Sequence, residues 1–234
     1  MSAPFHFKQF SIQQGKCAMK VTEIACLFAA LVNPSMASNI LDIGAGTGVL
    51  SLMIAQKTSA SVVAIEVNQD TFVTLKKNVD DSPFASRIET IYGDICSYFP
   101  SQTFDLILTN PPFFENQLKA KELAKNMAWH DASLRKADLL EACHRLLQSE
   151  GVCWLLFPYL QDHDNRRIFS SFSFYISEVI YIRHSERHPI SHCVYCISKN
   201  SNRDYKERSL CIRDYENRYT PEVYDLFQPY YLHL

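Results

Sequence analysis

The chain has 234 residues, 47% of them hydrophobic and 21% charged, the balance of a folded globular protein and not of a disordered one. A chain of this length can bury a sizeable core without disulfides or metals. Lys plus Arg number 23 against 25 Asp plus Glu, a formal net charge of −2, which excludes a protein that coats nucleic acid through charge alone.

The first residues, Met1 to Phe10, lack the long apolar stretch of a secretory signal, and no run approaches the ~18 apolar residues of a membrane helix. The chain is therefore expected in the cytoplasm, off the membrane, with reduced thiols. Residues 1–38 form an N-terminal segment and helix. Residues 39–43 are a short apolar strand running into a glycine cluster, and 49–56 have helical character. Residues 61–65 are β-branched and end at Glu66, and 70–79 are helical, with Phe72, Val73 and Leu75 among lysines. A third strand at 87–91 is followed by Gly93-Asp94, and a fourth at 104–108 by Asn110-Pro111-Pro112. Residues 134–147 carry helical spacing, with Ser133 as N-cap and Gly151 as the stop before a fifth strand at 152–157. Strands alternating with helices predict a mostly parallel α/β sheet with helices on both faces.

After residue 157 the rhythm changes. Residues 174–182 and 193–198 are strand-like, with the polar link 183–190 between them, and predict an antiparallel hairpin at the sheet edge. The stretches 115–127 and 200–208 read as long polar loops. Residues 210–234, rich in Tyr, are expected to pack back on the body. The whole, 1–234, reads as one domain, with a core at 39–199 and a C-terminal extension at 200–234. Cys17, Cys26, Cys96, Cys143, Cys153 and Cys211 sit among apolar neighbours and read as core residues. Cys193 and Cys196 form a CxxC with no second pair at metal spacing, so no metal site is expected.

The turn Asp42-Ile43-Gly44-Ala45-Gly46-Thr47-Gly48 departs from the dinucleotide fingerprint, whose third glycine falls here on Val49. Glycines permit a tight turn and close approach of a ligand to the backbone. A carboxylate two residues before Gly44 would repel a pyrophosphate. It suits a ligand with a cationic amine, as the methionine part of S-adenosylmethionine carries. Glu66 at the second strand end can accept hydrogen bonds from ribose hydroxyls, and Asp94 can receive an adenine amine beside Ile95. Each carboxylate alone also fits a turn or capping role. Together with Gly44, Gly46 and Gly48 they line successive strand ends, where ligands bind in such sheets.

Asn110-Pro111-Pro112-Phe113 forms a rigid turn, since consecutive prolines fix φ and lack donors. The Asn110 amide oxygen and the Pro111 carbonyl can both accept hydrogen bonds from one planar NH₂ group. That favours a more pyramidal nitrogen whose lone pair faces a sulfonium methyl. Phe113 can stack on the ring bearing the amine. Orientation of this kind accelerates a transfer without a strong base. A Pro-Pro turn closing a strand, with Phe113 and Phe114 in the core, is the structural alternative.

The two motifs resemble those of Rossmann-like, S-adenosylmethionine-dependent amino-methyltransferases. The flanks Phe7-Lys8-Gln9-Phe10, Ala18-Met19-Lys20-Val21, Tyr219-Thr220-Pro221-Glu222 and Tyr231-Leu232 are similar to the tRNA1(Val) (adenine-37-N6)-methyltransferase family. The resemblance covers nearly the whole chain and implies a seven-stranded methyltransferase sheet. It implies Asn110, Pro111 and Phe113 as catalytic residues, and Asp42, Gly44, Gly46, Gly48, Glu66, Asp94 and Asn110 as cofactor contacts. It further implies a monomer acting on the anticodon loop of tRNA. Three positions depart from the family pattern. Thr22-Glu23-Ile24-Ala25 stands where Gly-Thr-Asp-Gly is usual, Phe113 replaces Tyr, and Trp129 replaces Arg. The same chemistry on guanine N2 of ribosomal RNA or on a release-factor glutamine remains an alternative, as does a nucleotide-binding module without catalysis. Lys8, Lys16, Lys20, Lys119, Lys121, Lys125, Arg183, Arg187, Arg203, Lys206 and Arg208 could serve RNA phosphates or be ordinary surface charges. Trp129-His130 could stack on a base, while His130 is not expected to act as a base.

Overall fold

The computed structural model describes residues 3–15, 20–111 and 136–234. A small antiparallel pair, β1 (Phe5–His6) and β2 (Ser11–Ile12), precedes helix α1 (Glu23–Leu31). The alternation then runs β3 (Asn39–Ile43), α2 (Val49–Lys57), β4 (Ser61–Glu66), α3 (Gln69–Asp80), β5 (Ile88–Tyr92) and β6 (Phe104–Thr109). It continues with α4 (Lys136–Leu146), β7 (Leu147–Pro158), α5 (Asp162–Ser171), β8 (Tyr175–Ser185), β9 (Ile190–Ser198), β10 (Lys206–Arg213) and α6 (Pro221–Phe227).

The large sheet has the order β10-β8-β9-β7-β6-β3-β4-β5. β9 runs antiparallel to β7 and β8, and every other pair is parallel. Strand period sorts the core into two layers. Ile40, Val62, Ala64, Leu106 and Leu108 face α1, α2 and α6, together with Leu27, Phe28, Met53 and Phe227. Leu41, Ile43, Val63, Ile65 and Ile107 face the opposite way, toward Leu139, Leu140 and Phe169 of α4 and α5. Burying such a side chain contributes ~1.5–3 kcal/mol, so these two layers carry most of the stability.

The expected α/β class stands, with eight strands in place of seven. The additional strand is β10, which the sequence reading assigned in part to the connector 200–208. Lys206, Glu207 and Arg208 mask its pattern, and only Leu210 and Ile212 are buried on it. Charged residues on an edge strand discourage pairing with another chain. The β8–β9 hairpin therefore lies inside the sheet, not at its edge. Helix α5 went unread because only Asn165 and Phe169 on it are buried. Gly151 does not end α4. It lies within β7 at a register shift, where a Cβ would stand 3.0 Å from the Asp105 carbonyl oxygen. Ser133 and the 115–127 stretch lie outside the described residues.

The thiols are only partly core residues. Cys26, Cys143 and Cys153 are buried, but Cys96 is exposed and Cys211 half-buried, while Cys17 lies outside the described residues. Cys193 and Cys196 are both buried in β9, one in each core layer. Three residues apart on a strand, they point to opposite faces and cannot grip one ion.

The N-terminal pair is fastened to the C-terminal segment. Phe7 bridges Tyr231, the Lys8 amide donates to the Tyr230 carbonyl at 2.7 Å, and the Lys8 ammonium donates to the Gln228 carbonyl across 220 residues of sequence. The rings of Phe227 and Tyr231 stack at 4.5 Å, and the Tyr230 hydroxyl donates to the Met53 carbonyl of α2. The Lys8 ammonium is thus engaged by the C-terminal segment. The departure at Thr22-Glu23 has a local purpose. The Thr22 hydroxyl caps α1 by accepting from the Ala25 amide, and Glu23 accepts from Arg213 at 2.7 Å and from the Tyr219 hydroxyl at 2.8 Å.

Candidate active site

The strand order reverses between β3 and β6, the position in open α/β sheets where a crevice forms at the strand ends. Ile43 and Thr109 are register partners, so Gly44 and Asn110 leave the sheet side by side. The buried Thr109 hydroxyl donates to the Ile43 carbonyl at 2.9 Å and locks the two strand ends together.

The turn after β3 needs its glycines. Gly44, Gly46 and Gly48 have φ of +69°, +59° and +87°, a region that disfavours side chains. A Cβ on Gly44 would meet nothing within 4 Å, leaving that flank of the backbone open to a ligand. Gly48 serves packing instead, since its Cβ would strike Leu75 of α3 at 2.8 Å. The amides of Gly44 and Ala45 both donate to the Ile65 carbonyl at 3.0 Å, tying the turn to β4.

Asp42 is wholly buried beneath this turn. Its Oδ2 accepts from the Ser51 hydroxyl of α2 at 2.5 Å, while its Oδ1 is buried with no partner. Burial pushes the carboxyl up to about 7, against the pull of Ser51 and with a small push from Glu66. An orphaned carboxylate oxygen in this position asks for a cationic donor.

Glu66 ends β4 with both oxygens engaged. Oε2 accepts from the Gly46 amide at 2.9 Å and Oε1 from the Asn68 amide at 2.8 Å. Its carboxylate is therefore held fixed against the glycine turn, with further acceptor capacity on each oxygen. Asp94 is exposed beyond β5. Its Oδ1 caps a short turn by accepting from the Cys96 amide at 2.9 Å, so the capping role considered for it is present. The Gly93 amide donates to the Glu66 carbonyl at 3.1 Å, which keeps Asp94 at the neighbouring strand end. Asn110 is half-buried and Pro111 buried. Pro112, Phe113, Phe114, Trp129, His130, Lys16, Lys119, Lys121 and Lys125 lie outside the described residues.

One residue that supports the site was not read from the sequence. Asn78 of α3 is buried, and its Nδ2 donates to the Thr47 carbonyl at 2.8 Å and the Gln13 carbonyl at 2.9 Å. Its Oδ1 accepts from the Gln13 amide at 2.8 Å. One carboxamide thus clamps the glycine turn to the N-terminal segment. Asn on an amphipathic helix normally reads as surface, and only an inward position would have betrayed it. Asn78→Ala leaves three backbone groups without this partner and is expected to cost about 2–4 kcal/mol, read as a lower urea midpoint with unchanged slope.

The cationic residues divide between two edges. Arg183 and Arg187 lie at the carboxyl end of β8, the edge that holds Gly44 and Asn110. Arg203 precedes β10 at the opposite edge, where it donates to the Glu150 carbonyl, and Lys206 opens β10 there. Arg208 is paired with Glu178 and Glu222. Lys20 is exposed. Among the described residues there is no cluster of His, Cys, Asp and Glu that could hold a metal, and no helix long and apolar enough to cross a membrane.

Comparison with known proteins agrees with this geometry. The sequence model of the methyltransferase small domain family matches residues 18–157, more than half of the chain. A protein of Dyadobacter fermentans named tRNA1(Val) (adenine(37)-N6)-methyltransferase is 44% identical over 158 residues, 67% of this chain and 66% of that one. One of Trichodesmium erythraeum with the same name is 33% identical over 237 residues, 97% of each chain. Among solved structures, a predicted O-methyltransferase from Agrobacterium tumefaciens superimposes with a TM-score of 0.70 at 20% identity, covering 88% of this chain and 95% of that one. A glycopeptide N-methyltransferase complexed with S-adenosyl-L-methionine has a TM-score of 0.57 at 11% identity, covering 78% and 96%. These two likenesses establish the fold.

Proposed function

The chain belongs to the methyltransferase small domain family, and within it to the tRNA1(Val) (adenine(37)-N6)-methyltransferases; from this premise we propose that it methylates N6 of adenine-37 in the anticodon loop of tRNA1(Val). It is an S-adenosylmethionine-dependent methyltransferase, and it acts as a monomer in the cytoplasm. The observation that carries the reading is the exit of Gly44 and Asn110 side by side, from the register partners Ile43 and Thr109 at the switch point, beside a buried carboxylate whose Oδ1 lacks a partner.

The residues present fit S-adenosylmethionine. Asp42 offers its orphaned oxygen to the ammonium, and the open flank of Gly44 accommodates a ligand where a Cβ would otherwise stand. Gly46 and Gly48 shape the turn, Glu66 faces the ribose, and Asp94 takes the adenine amine. When bound, the cofactor supplies an electrophilic methyl on a sulfonium. The Asn110 amide oxygen and the Pro111 carbonyl accept hydrogen bonds from the two N–H groups of the substrate amine and hold its lone pair in line, while Phe113 is assigned to stack on the base. An adenine in an anticodon loop can be splayed into such a pocket without melting a helix. The methylated amine then sheds its extra proton, so no side-chain base is required.

The test is nucleoside analysis of tRNA from cells lacking this protein, together with labelled cofactor offered to tRNA, ribosomal RNA and release factor. Loss of N6-methyladenosine from one tRNA, with label entering tRNA alone, is the expected result. Label in ribosomal guanine or in a release-factor glutamine would overturn the substrate. Cofactor binding without transfer to any pool would overturn catalysis.

A further inference from the structure

Strand register carries the outer strands well past the catalytic turn. Thr109 is level with Leu155 in β7, Leu155 with Tyr195 in β9, Tyr195 with Val179 in β8, and Val179 with Glu207 in β10. From that level β8 continues to Ser185 and β10 to its register partner Arg213. At ~3.3 Å per residue, both strands rise roughly 20 Å beyond the level of Thr109, the last residue before Asn110. Three strand spacings of ~4.8 Å separate β8 from β6. The site thus lies at the foot of a wall, a shape suited to a substrate far larger than a nucleoside.

The crest of this wall holds the turn 186–189 and the loop 214–219. Most of its charges cancel locally. Arg183 pairs with Glu186 at 3.2 Å, Arg218 with Asp214 at 3.0 Å and with Glu216 at 2.8 Å, and Arg213 with Glu23 at 2.7 Å. Arg187 has no carboxylate partner among the described residues. Its guanidinium rests 5.5 Å from the ring centroid of Tyr215, which is 72% exposed. His184 and His188, both exposed, meet edge to face with ring centroids 5.0 Å apart. A guanidinium resting on a ring keeps its N–H edges free for phosphate oxygens, and exposed aromatic faces take unstacked bases.

We propose that this crest, centred on Arg187, Tyr215, His184 and His188, is the docking surface for the RNA strand next to the methylated adenine. The inference rests on the tRNA reading above and adds where the RNA lies. It also explains how a chain of net charge −2 holds an anionic polymer. Recognition comes from one unpaired arginine, stacking and hydrogen bonds, with a weak general field.

The experiment compares wild type with Arg187→Ala/Tyr215→Ala and with His184→Ala/His188→Ala, all at exposed positions. Transfer of labelled methyl to tRNA gives kcat and KM, calorimetry gives S-adenosylmethionine affinity, and thermal melting checks the fold. The expected result is a KM for tRNA raised at least fivefold in each variant, with kcat at saturating tRNA, cofactor affinity and Tm unchanged. In a tRNA binding titration against salt, Arg187→Ala should lower the log–log slope by about 1. An unchanged KM and slope overturn the inference while leaving the tRNA reading standing, and so does a KM increase matched by weaker cofactor binding. If wild type transfers nothing to tRNA, both fall together.

Discussion

Replacing Asn110 with alanine is expected to lower methyl transfer about 10²–10³-fold, with cofactor affinity changed less than about threefold and Tm nearly unchanged. The asymmetry follows from position. Asn110 is the first residue past β6 and half-buried, and the fixing of that strand end belongs to its neighbour, through the Thr109 hydroxyl on the Ile43 carbonyl. Removing the amide would, on the proposed mechanism, take away an acceptor for the substrate amine without loosening the strand. A positioned hydrogen-bond partner of this kind typically carries ~3–4 kcal/mol of transition-state stabilisation. Single-turnover assays with saturating tRNA and cofactor measure the effect on chemistry. A variant that retains wild-type turnover would remove Asn110 from the mechanism.

The second large effect has two opposite signs. Asp42→Asn should weaken S-adenosylmethionine binding roughly 10–100-fold, the worth of a charge-assisted hydrogen bond of ~1.5–3 kcal/mol. The same change should make the free protein more stable at pH 8. Burial raises the Asp42 carboxyl from 3.8 to about 7 in the folded chain. Between those values the folded state holds a proton that the unfolded state has released. Stability therefore falls as pH rises through this window and stays low above it, by roughly 4 kcal/mol at most. Asparagine removes that penalty, so the gain in urea midpoint should be present at pH 8 and absent near pH 4. In wild type, binding an ammonium beside Asp42 draws its pKa back down, so complex formation at pH 6.5 should release protons. Calorimetric heats that depend on the buffer's ionisation enthalpy will show this. An Asp42→Asn protein that binds the cofactor as tightly as wild type would refute the assignment.

Much of this arrangement is legible in the chain because the central strands obey a simple rule. Residues 39–43, 61–65 and 104–108 are predominantly apolar, with Asn39, Asp42, Ser61 and Asp105 as the polar members, as strands buried on both faces tend to be, and each is followed by a polar or glycine residue. The glycine turn was readable because its three positive φ values need glycine, a requirement few other turns make. The rest depends on long-range placement. Strand β10 hides behind its charges, and α5 buries too little to show a helical stripe. Gly151 looks like a helix stop until Asp105 is seen against it. Sequence proximity grouped Arg183 and Arg187 with Arg203 and Lys206, but a strand's length places them on opposite edges of the sheet. Asn78 appears as a clamp only once Gln13 and Thr47 are brought to it by the fold.

The tie between the N-terminal strands and residues 228–231 also sets an order of events during synthesis. Lys8 and Gln228 meet across 220 residues of chain, and contacts of such separation form late. The glycine turn leans on Gln13 through Asn78, and Gln13 continues from strands that Tyr230 and Tyr231 hold down. A nascent chain on the ribosome can therefore pair β3, β4 and β6 while its cofactor turn still lacks its outer brace. The brace on the cofactor turn is complete only once residues 228–231 have been made.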